Sequence, residues 1–382
     1  MHPIVDATFR ANPRYELVEF SRLPEALRVT LRPLTRDPEF FGVLRPRVDH
    51  NLPLKSVCRN TALLFLALGE AGPIPAYLRE HSTDANRAVA ELVADAVLEI
   101  EVKGTFICGG DASKVIYSSK LPISRNRLAV LSLEAVKYGE ALHIDDTRRL
   151  SARLYCYNRR PRSPSWSRRF QSDEQVMQHL GILASGRVAE CLERHWTLDQ
   201  TNDGWYAWRW ARQRQGWMRD ANYKLYLSPT PDATRTAFET FVEVMTDVEG
   251  PCFKVGKGLE GLLRPDKIVA YFQDYEELAK AAERLQKSIL DCPAQGVPFT
   301  AAVGTDGLIS WGMDPPVDDF VLPWQRPESW RVWITTRLAE ALVQSSCMPS
   351  RTVESWEYAM RRISLAGVDP ATWVPLPTIW RH

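Results

Sequence analysis

Asn222-Tyr223-Lys224-Leu225-Tyr226-Leu227 is the stretch of this chain that decides its fold. It is short, apolar and rich in aromatic residues, as a strand should be, yet a lysine stands at its centre. Cys252-Phe253-Lys254-Val255-Gly256 has the same arrangement, and Arg264 precedes a third strand-like run, Lys267-Ile268-Val269-Ala270-Tyr271-Phe272. Alternate residues of a strand share a face, so Lys224 and Tyr226 point the same way. An ammonium group is costly to strip of water, and a lysine among such neighbours calls for an anion or a chemical task. Several of these cations converging on one cleft would make a metal-free site for phosphate.

Working outward, Pro231 to Val248 predicts a helix with Phe238, Phe241, Val242 and Met245 on one side. Asp274 followed by Glu277 reads as a cap opening a helix through Leu290. Val297 to Ala301 and Leu308 to Trp311 suggest a hairpin across Gly304-Thr305-Asp306-Gly307, and helices over Glu328 to Gln344 and Arg351 to Ala366 follow. Gly256, Gly258 and Gly261 either let backbone approach a ligand or form the loop before the next strand. The expected fold is α+β, a C-terminal domain with a mixed or antiparallel sheet packed by helices.

The first half reads as a mixed α/β domain. Asn60 to Gly69 and Asp84 to Ala96 are helical, and Val97 to Val102 pairs with Thr105 to Cys108 across a Lys103-Gly104 turn. Helices are expected from Ser132 to Leu142 and from Arg148 to Tyr157. A capping box of Ser172 and Gln175 opens another through Leu183. Asn158 to Arg169 holds five arginines and two prolines. It is either a solvated linker or a docking surface for an acidic peptide. The tryptophans and arginines of 196–218 read as a domain junction rather than a stacking surface for single-stranded nucleic acid. Together these place a peptide- or partner-docking domain at 1–200 and a catalytic domain at 201–382.

At 382 residues the chain has room for about two cores, and 45% hydrophobic against 25% charged residues is ordinary for a globular protein. A net charge of +1 gives no overall pull towards nucleic acid or an anionic membrane, so an anion site must be built locally. No apolar run approaches the length of a membrane span, and the first residues lack the apolar core of a signal peptide. Seven scattered cysteines with no CxxC fit a reducing cytoplasm, and no histidine spacing beside them suggests zinc. Asp314, Asp318 and Asp319 are read as an exposed acidic loop beside Pro315 and Pro316, and Asp266 as a residue that orients a cation.

If the strands bring the cations together, Arg264 can hold a phosphate with two hydrogen bonds and Lys224 can hold another of its oxygens. Burial and neighbouring positive charge would depress the pKa of Lys254, making a free amine that can abstract a carbon-bound proton. Tyr226 could donate a proton to the departing oxygen. Base, phosphate clamp and acid together describe β-elimination of phosphate from phosphoserine or phosphothreonine. A lysine on a solvated strand face and a tyrosine that only packs are the structural alternatives.

In order and approximate spacing, Tyr223-Lys224-Leu225-Tyr226-Leu227-Ser228, Phe253-Lys254-Val255 and Leu263-Arg264-Pro265-Asp266-Lys267-Ile268 resemble the phosphothreonine lyases of the OspF and SpvC type. Gly296-Val297-Pro298-Phe299-Thr300 and Glu328-Ser329-Trp330 to Ala339 look more like the HopA effector family, with members that serve as lyases in lanthipeptide and thioamitide pathways. The resemblance covers about Asn222 to Gly367. It implies that Lys254 is the general base and that Lys224 and Arg264 are active-site and phosphate-binding cations. Tyr226 stands where those lyases have a histidine acid. A further phosphate-binding arginine is expected near the C-terminal helices, either Arg331 or Arg337.

These readings imply a lyase with no metal and no cofactor, acting on a phosphorylated ribosomal precursor peptide to give dehydroalanine or dehydrobutyrine. A separate kinase and a cyclase would be its partners, since nothing in the chain resembles an ATP site. The alternatives are a non-catalytic phosphopeptide-binding scaffold and an effector acting on a host phosphoprotein.

Overall fold

The computed structural model describes residues 4–47, 52–81, 84–117, 121–122, 124–183, 185–199, 204–212, 221–315, 328–346, 353–377 and 380. Its strands, in chain order, are β1 (Thr8–Ala11), β2 (Tyr15–Glu19), β3 (Phe40–Pro46), β4 (Lys55–Cys58), β5 (Gly72–Pro73), β6 (Leu98–Val102) and β7 (Thr105–Ile107). Then come β8 (Trp196–Asp199), β9 (Trp205–Trp210), β10 (Tyr223–Leu227), β11 (Cys252–Gly256), β12 (Ile268–Phe272), β13 (Ala301–Val303) and β14 (Ile309–Met313). They form three antiparallel sheets with helices packed on them, the α+β arrangement that the order of elements predicts.

The first two sheets, β5-β1-β6-β7 and β2-β3-β4, belong to the N-terminal part. Their core runs from Ile4 to Ile116 and takes in Leu365 from the last helix, Ser355–Leu365. From that helix Arg362 Nη2 donates to Asp95 Oδ1 at 2.8 Å, and Tyr358 Oη donates to the Ala94 carbonyl at 2.8 Å. The β6–β7 turn is the expected one, with Lys103 at φ 51° and Gly104 at φ 79°, the positive values that a two-residue hairpin loop needs.

The third sheet has seven strands in the order β13-β14-β10-β12-β11-β9-β8. One face packs on a core that draws residues from Ala135 to Trp380, so side chains on both sides of position 200 share it. Leu225, Phe253, Val255, Ala270 and Phe272 point into this face, where the helices Thr234–Asp247 and Tyr275–Ser288 cover them. In the same core Trp196 meets Phe253 edge-on and Trp208 stacks on it, which makes β8 and β9 part of the sheet.

Two local readings need correction. Val297 to Thr300 is not strand: β13 begins at Ala301, because Thr300 turns its hydroxyl back to the Val297 carbonyl at 2.7 Å. The helix opened by the Ser172–Gln175 capping box stops at His179, where Gly181 follows at φ 76°. Cys156 is exposed, while Cys108 and Cys252 are buried. Asp318 and Asp319, and the segment 213–220 with Trp217, lie outside the described residues.

Candidate functional site

Register decides the site. Tyr226 pairs with Val269, and Val269 with Lys254, so these three form one row across β10, β12 and β11. The adjacent row on the same face is Lys224, Tyr271 and Cys252. Strands lie roughly 4.8 Å apart, so Tyr226 and Lys254 flank Val269 at about 10 Å. This face carries a small apolar cluster of its own, with Tyr226, Cys252, Val269, Tyr271 and Val297 buried and Trp205 against it.

Two aromatic rings join the cations. Lys254 Nζ lies 4.2 Å from the centre of the Trp205 ring, and the Arg264 guanidinium lies 4.5 Å from the same ring. Tyr271 lies between the lysines, 5.3 Å from Lys254 Nζ and 5.6 Å from Lys224 Nζ. The negative faces of these rings attract the charges without binding them as a carboxylate would.

Arg264 reaches the site through a tight return of the chain. Gly256 and Gly261 pack backbone to backbone, and a Cβ on either would overlap the other. These glycines therefore form the loop that brings Arg264 back over the sheet. The carboxylate of Asp266, 4% exposed, then gathers three partners. Arg264 Nε donates to Oδ1 at 2.9 Å and Nη2 to Oδ2 at 3.0 Å, the Arg331 Nη1 lies 2.8 Å from Oδ2, and the Tyr155 hydroxyl donates to Oδ2 at 3.0 Å. Burial alone would push the Asp266 carboxyl up. Arg331 and Arg264 overcome that and hold it well below the usual carboxylate range.

Lys224 is 7% exposed and donates to both oxygens of Asp314, at 2.6 and 2.5 Å. Asp314 also accepts from the backbone N–H of Trp330 at 2.7 Å, at the start of the helix Trp330–Ser346. It is therefore a bound partner of the site and not an exposed loop carboxylate, since a buried ammonium recruits the nearest anion. Trp330 lies directly on Gly312, where a Cβ would overlap its ring, and its Nε1 donates to the Phe299 carbonyl at 2.7 Å.

Lys254 differs from the other cations. Among the described residues it has no carboxylate and no hydrogen-bond acceptor, only the two rings. Burial, then the charges of Lys224 and Arg264, bring its pKa down to about 8. Tyr226 is 3% exposed, and burial followed by the Asp314 charge raises its pKa well above the ordinary value. Its phenol is therefore fully protonated near neutrality.

The structure thus brings together Lys224, Tyr226, Lys254, Arg264 and Arg331, and leaves Arg337 out. Arg337 lies over the Trp333 ring at 4.2 Å and pairs with Glu328 at 3.6 Å. Tyr155, Trp205, Tyr271 and Asp314 join the site without having been singled out for it. Tyr271 stands two residues beyond Val269 on the same face, which strand alternation could have shown. Tyr155 lies more than a hundred residues away in sequence, where no local pattern points to it. Among the described residues, no group of three or more His, Cys, Asp or Glu side chains could hold a metal ion, and no helix is long and apolar enough to cross a membrane.

No protein-family model and no curated protein matches this chain. Among solved structures it is similar to an effector protein from Pseudomonas syringae pv. tomato strain DC3000, with 13% identity over 65% of this chain and 98% of that one, at a TM-score of 0.41. An effector protein from Pseudomonas syringae pv. syringae strain 61 is similar at 11% identity over 67% of this chain and 99% of that one, with a TM-score of 0.40.

Proposed function

We propose that this chain is a lyase that eliminates phosphate from phosphoserine or phosphothreonine in a peptide, leaving dehydroalanine or dehydrobutyrine. One observation carries the proposal. Lys254 is a desolvated amine with a pKa of about 8 and no anionic partner among the described residues, set beside three cations that have partners. A lysine kept for structure alone would be given a carboxylate, as Lys224 is.

The chemistry follows from the positions. Phosphate binds between Lys224, Arg264 and Arg331, where three cations against the carboxylates of Asp266 and Asp314 leave a net positive site even with Lys254 neutral. Arg331 is 1% exposed, and its Nε lacks a hydrogen-bonded acceptor while Nη1 meets Asp266, so donor capacity remains on Nε for a phosphate oxygen. Neutral Lys254 removes the α-proton of the phosphorylated residue. The freed electron pair becomes the Cα=Cβ bond as the Cβ–O bond breaks, and its electrons leave on phosphate. Tyr226 hydrogen-bonds the departing oxygen from the same row of the sheet. Its raised pKa makes it a weak proton donor, so the clamped positive charge bears most of the leaving-group stabilisation.

The substrate we favour is a ribosomal precursor peptide phosphorylated by a separate kinase, with a cyclase acting on the product. The test is to incubate the protein with a phosphothreonine peptide and no nucleotide, then examine the peptide by mass spectrometry. Loss of phosphoric acid with an unsaturated product supports a lyase. Intact phosphopeptide, or threonine regenerated with free phosphate, overturns it. The Tyr226 environment favours one other reading, a phosphopeptide-binding scaffold without turnover, for which Lys254→Ala would leave modification by the partner enzymes unchanged.

A further inference from the structure

Strand β4 is the outer strand of the β2-β3-β4 sheet. Its inner edge pairs with β3 from Lys55 opposite Leu44 to Cys58 opposite Phe40, and among the described residues no strand pairs with its other edge. A cleft of about 900 Å³ lies along it, with Lys55 to Cys58 on one wall and Glu340 and Val343 of the helix Trp330–Ser346 on another. A side cavity of about 120 Å³ shares Lys55 and Asp95 with this cleft and reaches Asp111, whose Oδ1 is buried without a hydrogen-bond partner.

The cleft and the cations are bordered by the same pair of helices. Thr147 lines it and also lines a groove of about 350 Å³ between the helices Thr147–Tyr155 and Trp330–Ser346. That groove passes Ser151 and ends at Tyr155, whose hydroxyl bonds Asp266 and accepts from Arg264 at 3.1 Å. The same two helices therefore border both the free strand edge and the phosphate site.

An unpaired edge presents alternating N–H and C=O groups, the partner set of an extended peptide. Lys55, Asp95 and Glu340 stand among Leu54, Val57, Leu92 and Val343, an amphipathic lining that suits a peptide of mixed side chains. A volume near 900 Å³ is room for several residues. Thr147 to Tyr155 rises about 12 Å along its helix at 1.5 Å per residue. An extended chain at roughly 3.3 Å per residue crosses that span in about four residues.

We propose that a segment of the substrate peptide, about four or more residues from its phosphorylated position, docks as an added strand on the free edge of β4. This rests on the reading of the substrate as a peptide. One of its side chains enters the side cavity and donates to Asp111.

Short random peptides displayed on phage are panned against the full chain, and a selected sequence is synthesised without phosphate. In hydrogen–deuterium exchange this peptide is expected to protect the amides of Lys55 to Cys58. Proline is then placed at Lys55 and at Ser56 in separate variants. Neighbouring strand residues point their N–H groups to opposite edges, so one variant loses a bond to β3 and the other a donor to the cleft. The variant that keeps the wild-type melting temperature is expected to bind about tenfold more weakly, the effect of one or two lost backbone bonds. Protection elsewhere on the molecule, or no selectable peptide, overturns the proposal. If both variants unfold, the exchange result on the wild type still decides. Neither phosphate nor turnover enters this assay: protection at β4 with an inert phosphothreonine peptide would sink the lyase and leave the dock.

Discussion

The two faces of the seven-stranded sheet are built from the same three strands and have opposite characters. On one, Leu225, Phe253 and Ala270 are sealed beneath helices in an aromatic core. On the other, the ammonium groups of Lys224 and Lys254 flank the ring of Tyr271. The positions alternate, so residues adjacent in sequence lie in different surroundings: Phe253 sits in the aromatic core and Lys254 on the cationic face. Strand geometry thus lets a charged site be set into a stable sheet, provided each cation is neutralised or shielded by a ring.

If the faces are separable, Lys254→Ala lowers turnover of a phosphothreonine peptide by about 10²–10⁴-fold and leaves the melting temperature near wild type. Equal loss of both would break the comparison. Phe253→Ala should do the reverse. It removes contacts with Trp196, Trp208 and Phe241, and should cost about 3–5 kcal/mol in urea denaturation.

Asp266→Asn tests whether the charged face depends on its own internal balance. It leaves Arg264 and Arg331 without their carboxylate and is expected to destabilise by about 3 kcal/mol, with phosphate binding lost as well. A smaller effect concerns pH. The amine of Lys254 must be neutral to act, and its pKa is lowered to about 8. Below that value kcat/KM should fall about tenfold for each pH unit, and above it the rate should level off. A profile flat from pH 6 to 9, roughly one to two units either side of that pKa, would remove Lys254 from the role of base. The smallest effect is expected for Arg337→Ala, within about 0.5 kcal/mol and with unchanged turnover, because its pairing with Glu328 is partly exposed.

Much of this sheet was legible because its information is local. The alternation of Tyr223 to Leu227 fixes which residues share a face, and Asp274 caps its helix through the Glu277 N–H as expected. The partners of the cations were not legible. Asp314 reaches Lys224 across ninety positions, and Tyr155 reaches Asp266 across one hundred and eleven. Such pairings depend on how helices cross the sheet, which no short window encodes. The choice between Arg331 and Arg337 failed for a related reason. The helix Trp330–Ser346 buries residues around much of its circumference, so its sequence has no single apolar side to orient the two arginines.

Gly312 gives this architecture its dimensions. With a hydrogen in place of a side chain, it lets the indole of Trp330 rest on the sheet itself, and Arg331 is the next residue along. The height of that helix above the strands, and with it the depth to which a guanidinium can descend, is set by the thinnest residue available. Even one methyl group there would act as a shim, lifting Arg331 away from Asp266 and loosening the cluster of cations without altering any of its members.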